Sequence, residues 1–255
     1  MSNWLTLVKY FIIKDIKSRY AGSGLGIFWT FILPVFQILL YWFVFSTIMR
    51  VRPYFGTQIP YVYFLLSTYF FWLAISESIA RSGTVIIDNA EIVKKVHLPN
   101  VVLPLSVTLS SYLHNMIGVM FFIVIFTASG SSHLHLFLIV PVLFLQLLFS
   151  LGMGMMMAAI VPYVRDLQQV IGYVIQGMFF LSPVIYSLNA IPERFRGLAY
   201  LNPITVYIES YHTIIFEQNF PGVRYVLGMI CISGLSLFLG TKVFNKLKEG
   251  FADIL

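Results

Sequence analysis

Apolar residues along this chain fall into long, nearly uninterrupted runs separated by short polar punctuation. Six runs, at residues 25–49, 60–81, 101–128, 134–161, 167–186 and 223–244, carry the pattern. Each is close to or above the roughly 20 mostly apolar residues that a helix needs to cross a bilayer. They predict an all-α integral membrane protein with six transmembrane helices in a single transmembrane domain covering residues 1–255. Residues 3–20 follow a different pattern. Trp4, Leu5, Leu7, Val8, Phe11 and Ile12 recur at helical spacing, with Lys9, Lys14 and Lys17 largely on the opposite side. That arrangement predicts an amphipathic helix lying at the membrane interface. Gly22, Gly24 and Gly26 then separate it from the first run.

The polar segments differ in length and character. Residues 82–99 hold Asp88, Asn89, Glu91, Lys94, Lys95 and His97 and close at Pro99, which predicts a loop longer than a passive connector needs. Ser129 to His133 form a small tip between the third and fourth runs, and Pro162, Arg165 and Asp166 mark another short turn. Residues 189–222 are only moderately apolar, are broken by Pro192, Pro203 and Pro221, and carry Glu193, Arg194, Arg196, Glu209 and Glu217. Two short helices entering the membrane partway fit this segment, provided that protein or water satisfies the exposed backbone.

Composition narrows the class further. Of 255 residues, 59% are hydrophobic and 10% charged, against about 45–50% and about 25% in soluble domains. No room is left for a separate folded catalytic domain. The net charge of +6 does not point to nucleic acid, because the basic residues flank apolar runs. Eleven of the 16 Lys and Arg fall on the side of the termini and five, Arg50, Arg52, Arg194, Arg196 and Arg224, on the other. The positive-inside rule therefore predicts cytoplasmic termini. The N-terminus lacks the layout of a secretory signal. Cys231 is the single cysteine, which excludes an intramolecular disulfide framework and any cysteine spacing for a metal. No repeat supports an inverted-repeat transporter.

Candidate chemistry is sparse. Glu77 stands four residues before Arg81, a spacing that suits either an interfacial structural pair or a relay. His133 and His135 at a loop tip, and His114 beside Asn115 within a run, suit solvated or structural roles. An HExxH segment, a nucleophile elbow and a Walker A loop are all missing, so ATP chemistry would have to come from another chain. Aromatic content is high, with 24 Phe, 15 Tyr and 4 Trp. In the first two runs Trp29, Phe36, Tyr41, Trp42, Tyr69 and Trp72 offer apolar faces and, for Tyr and Trp, hydrogen-bonding edges suited to sugars. Lipid-facing bulk and interface belts are the competing reading. Asp15 and Arg19 share one side of the N-terminal helix, away from Lys14 and Lys17. That side meets protein while the other faces anionic lipid, or the whole helix is a plain lipid anchor.

Three segments in order resemble ABC-2 type permeases of the polysaccharide (O-antigen or teichoic-acid) export family, Wzm-like proteins. They are Asp15-Ile-Lys-Ser-Arg-Tyr-Ala-Gly-Ser-Gly-Leu-Gly-Ile-Phe-Trp with Pro34, then Asn89-Ala-Glu-Ile-Val-Lys-Lys-Val-His-Leu-Pro-Asn with Leu103-Pro-Leu-Ser106, then Ser182-Pro-Val-Ile-Tyr186 with Leu201-Asn-Pro-Ile-Thr205 and Glu209. The resemblance implies a permease without enzymatic activity and with no cofactor of its own, since ATP and Mg would be bound by a partner ATPase. It implies a homodimer in the inner membrane with two nucleotide-binding subunits, moving an undecaprenyl-diphosphate-linked glycan outward. By position, Asn89, Glu91, Lys94, Lys95 and His97, with Asp15 and Arg19, would couple to the ATPase. Aromatic residues of the first two runs and the fifth would line the channel, and Pro183, Tyr186, Asn202, Pro203 and Glu209 would form an outer gate. Lys14, Lys17 and Arg19 are suited to guide the diphosphate. An exporter of small amphiphiles would share the fold; a membrane-embedded transferase or scaffold is the reading from another class.

Overall fold

The computed structural model describes residues 4–19, 24, 26–51, 59–95, 99–128 and 134–255. The described chain is helical throughout. The amphipathic segment is helix α1 (Trp4–Ser18), which buries Val8 and Phe11 and leaves Lys14 and Lys17 exposed. It lies along the start of α5 (Val102–Ala128).

Among the described residues, four helical stretches are long and apolar enough to cross a membrane: Tyr61–Asp88, Val102–Ala128, His135–Ile160 and Val223–Ile254. Two apolar helices are shorter, Ile32–Ile48 and Leu167–Leu181. The first of these belongs to α2 (Trp29–Tyr41), which carries Pro34 inside it and continues as a π-helix over Trp42–Ile48. The wider turn ends with Met49 N–H on the Val44 carbonyl at 2.9 Å, and Arg50 in the left-handed region at φ 51°. The expected first span, 25–49, is therefore a composite of helix types, with Leu25 outside the described residues.

The second run differs most from expectation. Helix α3 (Tyr61–Asp88) does not end at Arg81 but runs on for seven residues into the expected loop 82–99. Ser82, Gly83, Val85 and Ile86 continue the helical period with buried positions, each of them small or β-branched. A Cβ on Gly83 would run into the Gln168 side chain. Farther along that segment comes the short helix α4 (Ala90–Lys95), and residues 96–98 lie outside the described residues. Val102 N–H on the Pro99 carbonyl, at 2.9 Å, starts α5.

Helix α6 (Ile139–Ile160) and helix α10 (Val223–Leu247) make the most extensive helix pair in the described fold. Small residues allow it: a Cβ on Gly240 would strike the Gly152 carbonyl, and one on Gly152 the backbone of Ser236 and Leu237. Ser236 Oγ donates to the Phe149 carbonyl at 2.9 Å, and Ser233 Oγ lies 2.8 Å from the Leu145 carbonyl. Close backbones flanked by hydroxyl bonds are the usual membrane solution, because lipid offers no hydrophobic driving force between helices.

Helix α7 (Leu167–Leu181) ends five residues before the expected limit at Tyr186. The broken segment that follows folds as a short turn and two helices, α8 (Glu193–Leu201) and α9 (Thr205–Phe216). Far from being peripheral, α9 buries Tyr207, Ile208, Tyr211 and Ile214 completely against α3, α6 and α10. Its Tyr211 hydroxyl donates to Gln146 Oε1 at 2.7 Å, while the Gln146 amide donates to the Phe71 carbonyl at 3.1 Å and the Tyr112 hydroxyl at 3.0 Å. Tyr112 in turn meets Ser150 Oγ at 2.7 Å. Every polar atom of the buried Gln146 side chain is thus satisfied, as the absence of water in a helix bundle requires. The last stretch also extends beyond expectation, past Phe244 through a 3-10 turn at Lys248–Gly250 into α11 (Phe251–Ile254).

Candidate functional site

Two sites stand out, and the first is a four-charge junction that joins α1, α3 and α5. Asp15 receives both guanidinium nitrogens of Arg81, at 2.9 and 2.6 Å. Arg19 binds Glu77 closely, lies 3.3 Å from Asp15, and donates to Ser110 and Ser111 at 3.2 and 3.1 Å. Ser110 also donates to Asp15, and Asn115 donates to Glu77 Oε2 at 2.7 Å. Two cations and two anions cancel, which allows side chains only 10–31% exposed to remain charged. The expected Glu77–Arg81 pair is present at 3.6 Å, yet each residue has a closer partner, Asp15 on α1 for Arg81 and Arg19 just past its end for Glu77. Ser110, Ser111 and Asn115 are the members that sequence reasoning missed.

Burial pushes the Asp15 carboxyl up, but the hydrogen bonds from Arg81 and Ser110 and the charges of Arg81 and Arg19 outweigh it, leaving it below its ordinary 3.8. A depressed carboxyl adds stability above its unfolded value and loses it as pH falls through the folded one. The melting difference between the parent and Asp15→Asn in detergent is therefore expected to be constant through the neutral range and to close as pH falls below 3.8. A difference that instead changes near neutrality would contradict this account of the junction.

Beside the junction, Lys14 Nζ donates to Asn89 Oδ1 at 2.8 Å, and Asn89 Nδ2 closes the end of α3 on the Val85 carbonyl at 2.8 Å. A cavity of about 330 Å³ opens here between Lys14, Asp15, Arg81 and Asp88. Glu91 and Lys95 on α4 are 88% and 72% exposed and lie 3.3 Å apart, with Lys94 exposed next to them. His97 lies outside the described residues, as do His133 and Arg52. Lys17 is free-standing on the exposed side of α1, whereas Arg19 is turned inward.

The second site is a cleft of about 470 Å³ between α2, α3 and α7. Tyr41, Tyr69 and Trp72 line it, and Phe179 joins them from α7, with ring centroids 5.3 Å from Tyr41 and 5.4 Å from Trp72. Between the rings stand Gln37, Ser76 and Gln176, and Gln37 is hydrogen-bonded to the Tyr41 hydroxyl. A Cβ at Gly172 would meet nothing within 4 Å, so that wall is open. Among the described residues, no acid, lysine, arginine or histidine lines the cleft. Trp29, Phe36 and Trp42, 40%, 60% and 39% exposed, lie outside it on the outer faces of α2 and its π-helical end. Gln37 and Gln176 were detectable in principle, as isolated amides within apolar runs.

At the C-terminal end of α7, Asn202 clamps the turn: its Nδ2 donates to the Met178 carbonyl at 2.9 Å and Ser182 Oγ at 2.8 Å, and its Oδ1 accepts from Ile204 N–H at 3.0 Å. Pro183 is buried in that turn and Pro203 is half-buried before α9. Tyr186 donates to the Phe180 carbonyl at 2.6 Å. Glu209 lies 3.7 Å from His212, which is stacked on Phe64 at 4.3 Å. The sequence-derived outer residues are thus brought to one region, around the α7–α9 connection. Among the described residues, no cluster of His, Cys, Asp and Glu is placed to hold a metal ion.

A sequence profile described as ABC-2 type transporter matches residues 6–216, which takes in both sites. The chain belongs to the ABC-2 type transporter family. As an ABC-2 permease it is a multi-pass membrane protein that works with a separate ATPase subunit and carries out no ATP hydrolysis itself. It is 30% identical over 244 residues to the O-antigen export system permease protein RfbA of Myxococcus xanthus, covering 94% of this chain and 92% of the relative. It is 31% identical over 246 residues to a protein of the same name from Klebsiella pneumoniae, covering 95% and 92%.

Proposed function

We propose that this ABC-2 permease exports a lipid-linked polysaccharide of the O-antigen type outward across the inner membrane, as a homodimer with two ATPase subunits. The observation that carries the reading is the aromatic and amide cleft. Tyr41 presents a half-buried ring to sugar C–H surfaces, with the buried rings of Tyr69, Trp72 and Phe179 packed behind it, while Gln37, Ser76 and Gln176 offer hydrogen bonds to hydroxyls. A surface without charged side chains holds each sugar weakly, which a chain in transit requires. The names of the near full-length relatives support the same reading.

Six crossings follow if the two shorter apolar helices also span. Trp29–Ile48 supplies 13 α-helical and 7 π-helical residues, and α7 has 15 residues followed by the turn that Asn202 clamps. An even number of crossings sets both termini on the cytoplasmic, lysine-rich side. There α4, with Asn89, Glu91, Lys94, Lys95 and His97, faces the ATPase, which binds ATP and Mg. In this reading Asp15 and Arg19 act within the permease, transmitting motion of α1 to α3 and α5. Lys14 and Lys17 are the exposed cations left to meet the lipid diphosphate. Pro183, Tyr186, Asn202, Pro203 and Glu209 form the outer gate.

The test is export by the reconstituted permease and ATPase. Tyr41→Ala with Gln176→Ala removes the half-buried ring and an exposed amide, together worth about 1–3 kcal/mol, so export is expected to fall by about tenfold or more. Co-purification of the ATPase should be unchanged. Undiminished glycan export by this variant, or ATPase stimulation by small amphiphiles and not by lipid-linked glycan, would overturn the reading.

A further inference from the structure

A helix of six residues has no stability of its own, because nucleation costs more than so few hydrogen bonds return. Helix α4 is such a helix, and its one internal ion pair, Lys95 with Glu91, is exposed and adds little. What holds α4 in place must therefore lie outside it. Among the described elements, α11 and the adjoining α3 are the two that pack most on α4, to a similar extent.

The contact is built around Phe251. This side chain is fully buried in a cluster with Val85, Ile86, Val102 and Phe244, and Ile92 and Val93 of α4 pack against the same cluster. The Phe251 ring meets Phe244 edge-on at 5.6 Å and lies 6.3 Å from the Tyr163 ring. Tyr163 belongs to the turn between α6 and α7, and its hydroxyl donates to the Leu247 carbonyl at 2.8 Å. A Cβ at Gly250 would strike that hydroxyl, so the Lys248–Gly250 turn fits closely over the α6–α7 connection. The last helical turn is accordingly a wedge with α4 on one side and the α6–α7 turn, at Tyr163, on the other.

We propose that residues 248–255 are a coupling element of the exporter, with Phe251 and Ile254 as positioning residues that seat α4 and connect it to the α6–α7 turn. The proposal rests on α4 being the ATPase-facing segment. Force applied to α4 then reaches α7, one wall of the cleft, directly through Phe251 and Tyr163 as well as along α3. Neither residue touches substrate.

The test uses the full permease with its ATPase, reconstituted in vesicles. Phe251→Ser and a chain ending at Gly250 are expected to insert and assemble, but to export about tenfold less glycan per ATP hydrolysed, within the usual range of coupling effects. Phe251→Leu should recover most of that ratio, which a general loss of protein would not allow. A Gly/Ser replacement of Glu91–Lys95 is the reference. If it too leaves coupling intact, the assignment of α4 fails; if it uncouples while the Phe251 variants do not, the wedge is overturned. A crosslink does not depend on how those variants fold: Val93→Cys with Ile254→Cys, in a chain carrying Cys231→Ser, should be bridged by a short bis-maleimide, as α4 and α11 are in contact, and retain export. Failure to crosslink, or arrest of export by the crosslink, would contradict a wedge that moves with α4.

Discussion

Arg19→Met is expected to lower the unfolding free energy of the detergent-solubilised permease by about 3 kcal/mol and to free α1 from the bundle. Removing one partner of a buried ion pair costs about 3–5 kcal/mol, because the remaining charge is left without compensation. The lower end applies here, since Arg81 stays 3.6 Å from Glu77 and Asn115 still donates to it. Arg19 is the residue of the junction with most to lose, as its guanidinium reaches Asp15, Glu77, Ser110 and Ser111 at once. Arg19→Lys retains the charge but not the planar fork, so it should fall between the parent and Arg19→Met. The double variant Arg19→Met with Glu77→Met removes one charge of each sign and leaves the bidentate Asp15–Arg81 pair in place. It is expected to regain a large part of the loss. Thermal unfolding reads all three, and proteolysis within residues 4–18 reads the release of α1. Equal melting of the single and double variants would mean that the junction is not held by charge compensation.

Gly240→Val should be comparably damaging, for a reason that involves no charge. Its Cβ alone would collide with the Gly152 carbonyl on α6, and backbone cannot turn aside as a flexible side chain can. Separating α6 from α10 would also lengthen the Ser236 bond to Phe149 and the Ser233 contact with Leu145, now 2.9 and 2.8 Å. Overpacking costs about 1–3 kcal/mol and sometimes more, and the upper end is expected where two backbones touch. Gly234→Val on the same helix is the control, because a Cβ there meets nothing within 4 Å. The expected result is a large drop in melting temperature for Gly240→Val and little change for Gly234→Val. Similar behaviour of the two would show that helix propensity, and not close approach, governs glycine in α10.

The membrane class was legible because apolar runs of span length survive any detail of packing, and the inward side of α1 because Asp15 and Arg19 share one face of a single helix. Partners far apart in sequence were not legible in the same way. Spacing pairs Glu77 with Arg81, four residues away, while the closer partner Arg19 lies 58 residues back. The continuation of α3 through Ser82–Asp88 was hidden because Ser82 and Gly83 look like loop residues, although tight packing is what requires them. Among the aromatics, composition offered six candidates on the first two runs. Only the direction of α2 and α3 relative to α7 separates Tyr41, Tyr69 and Trp72 from Trp29, Phe36 and Trp42. The role of the last residues was invisible for a related reason, since four residues have no period to read and Phe251 is meaningful only beside Tyr163 and α4.

The buried amide of Gln146 also bears on how the chain is made. Its two N–H donors meet Phe71 and Tyr112, both synthesised earlier, but its oxygen accepts from Tyr211, which follows 65 residues later. A nascent chain that has not yet produced α9 therefore holds an open acceptor inside the bundle, and an unmet polar group in hydrocarbon costs several kcal/mol. Insertion of α6 is provisional until α9 arrives. Chains that end before α9 keep that acceptor without its Tyr211 donor, so they are expected to pack less firmly than the finished permease.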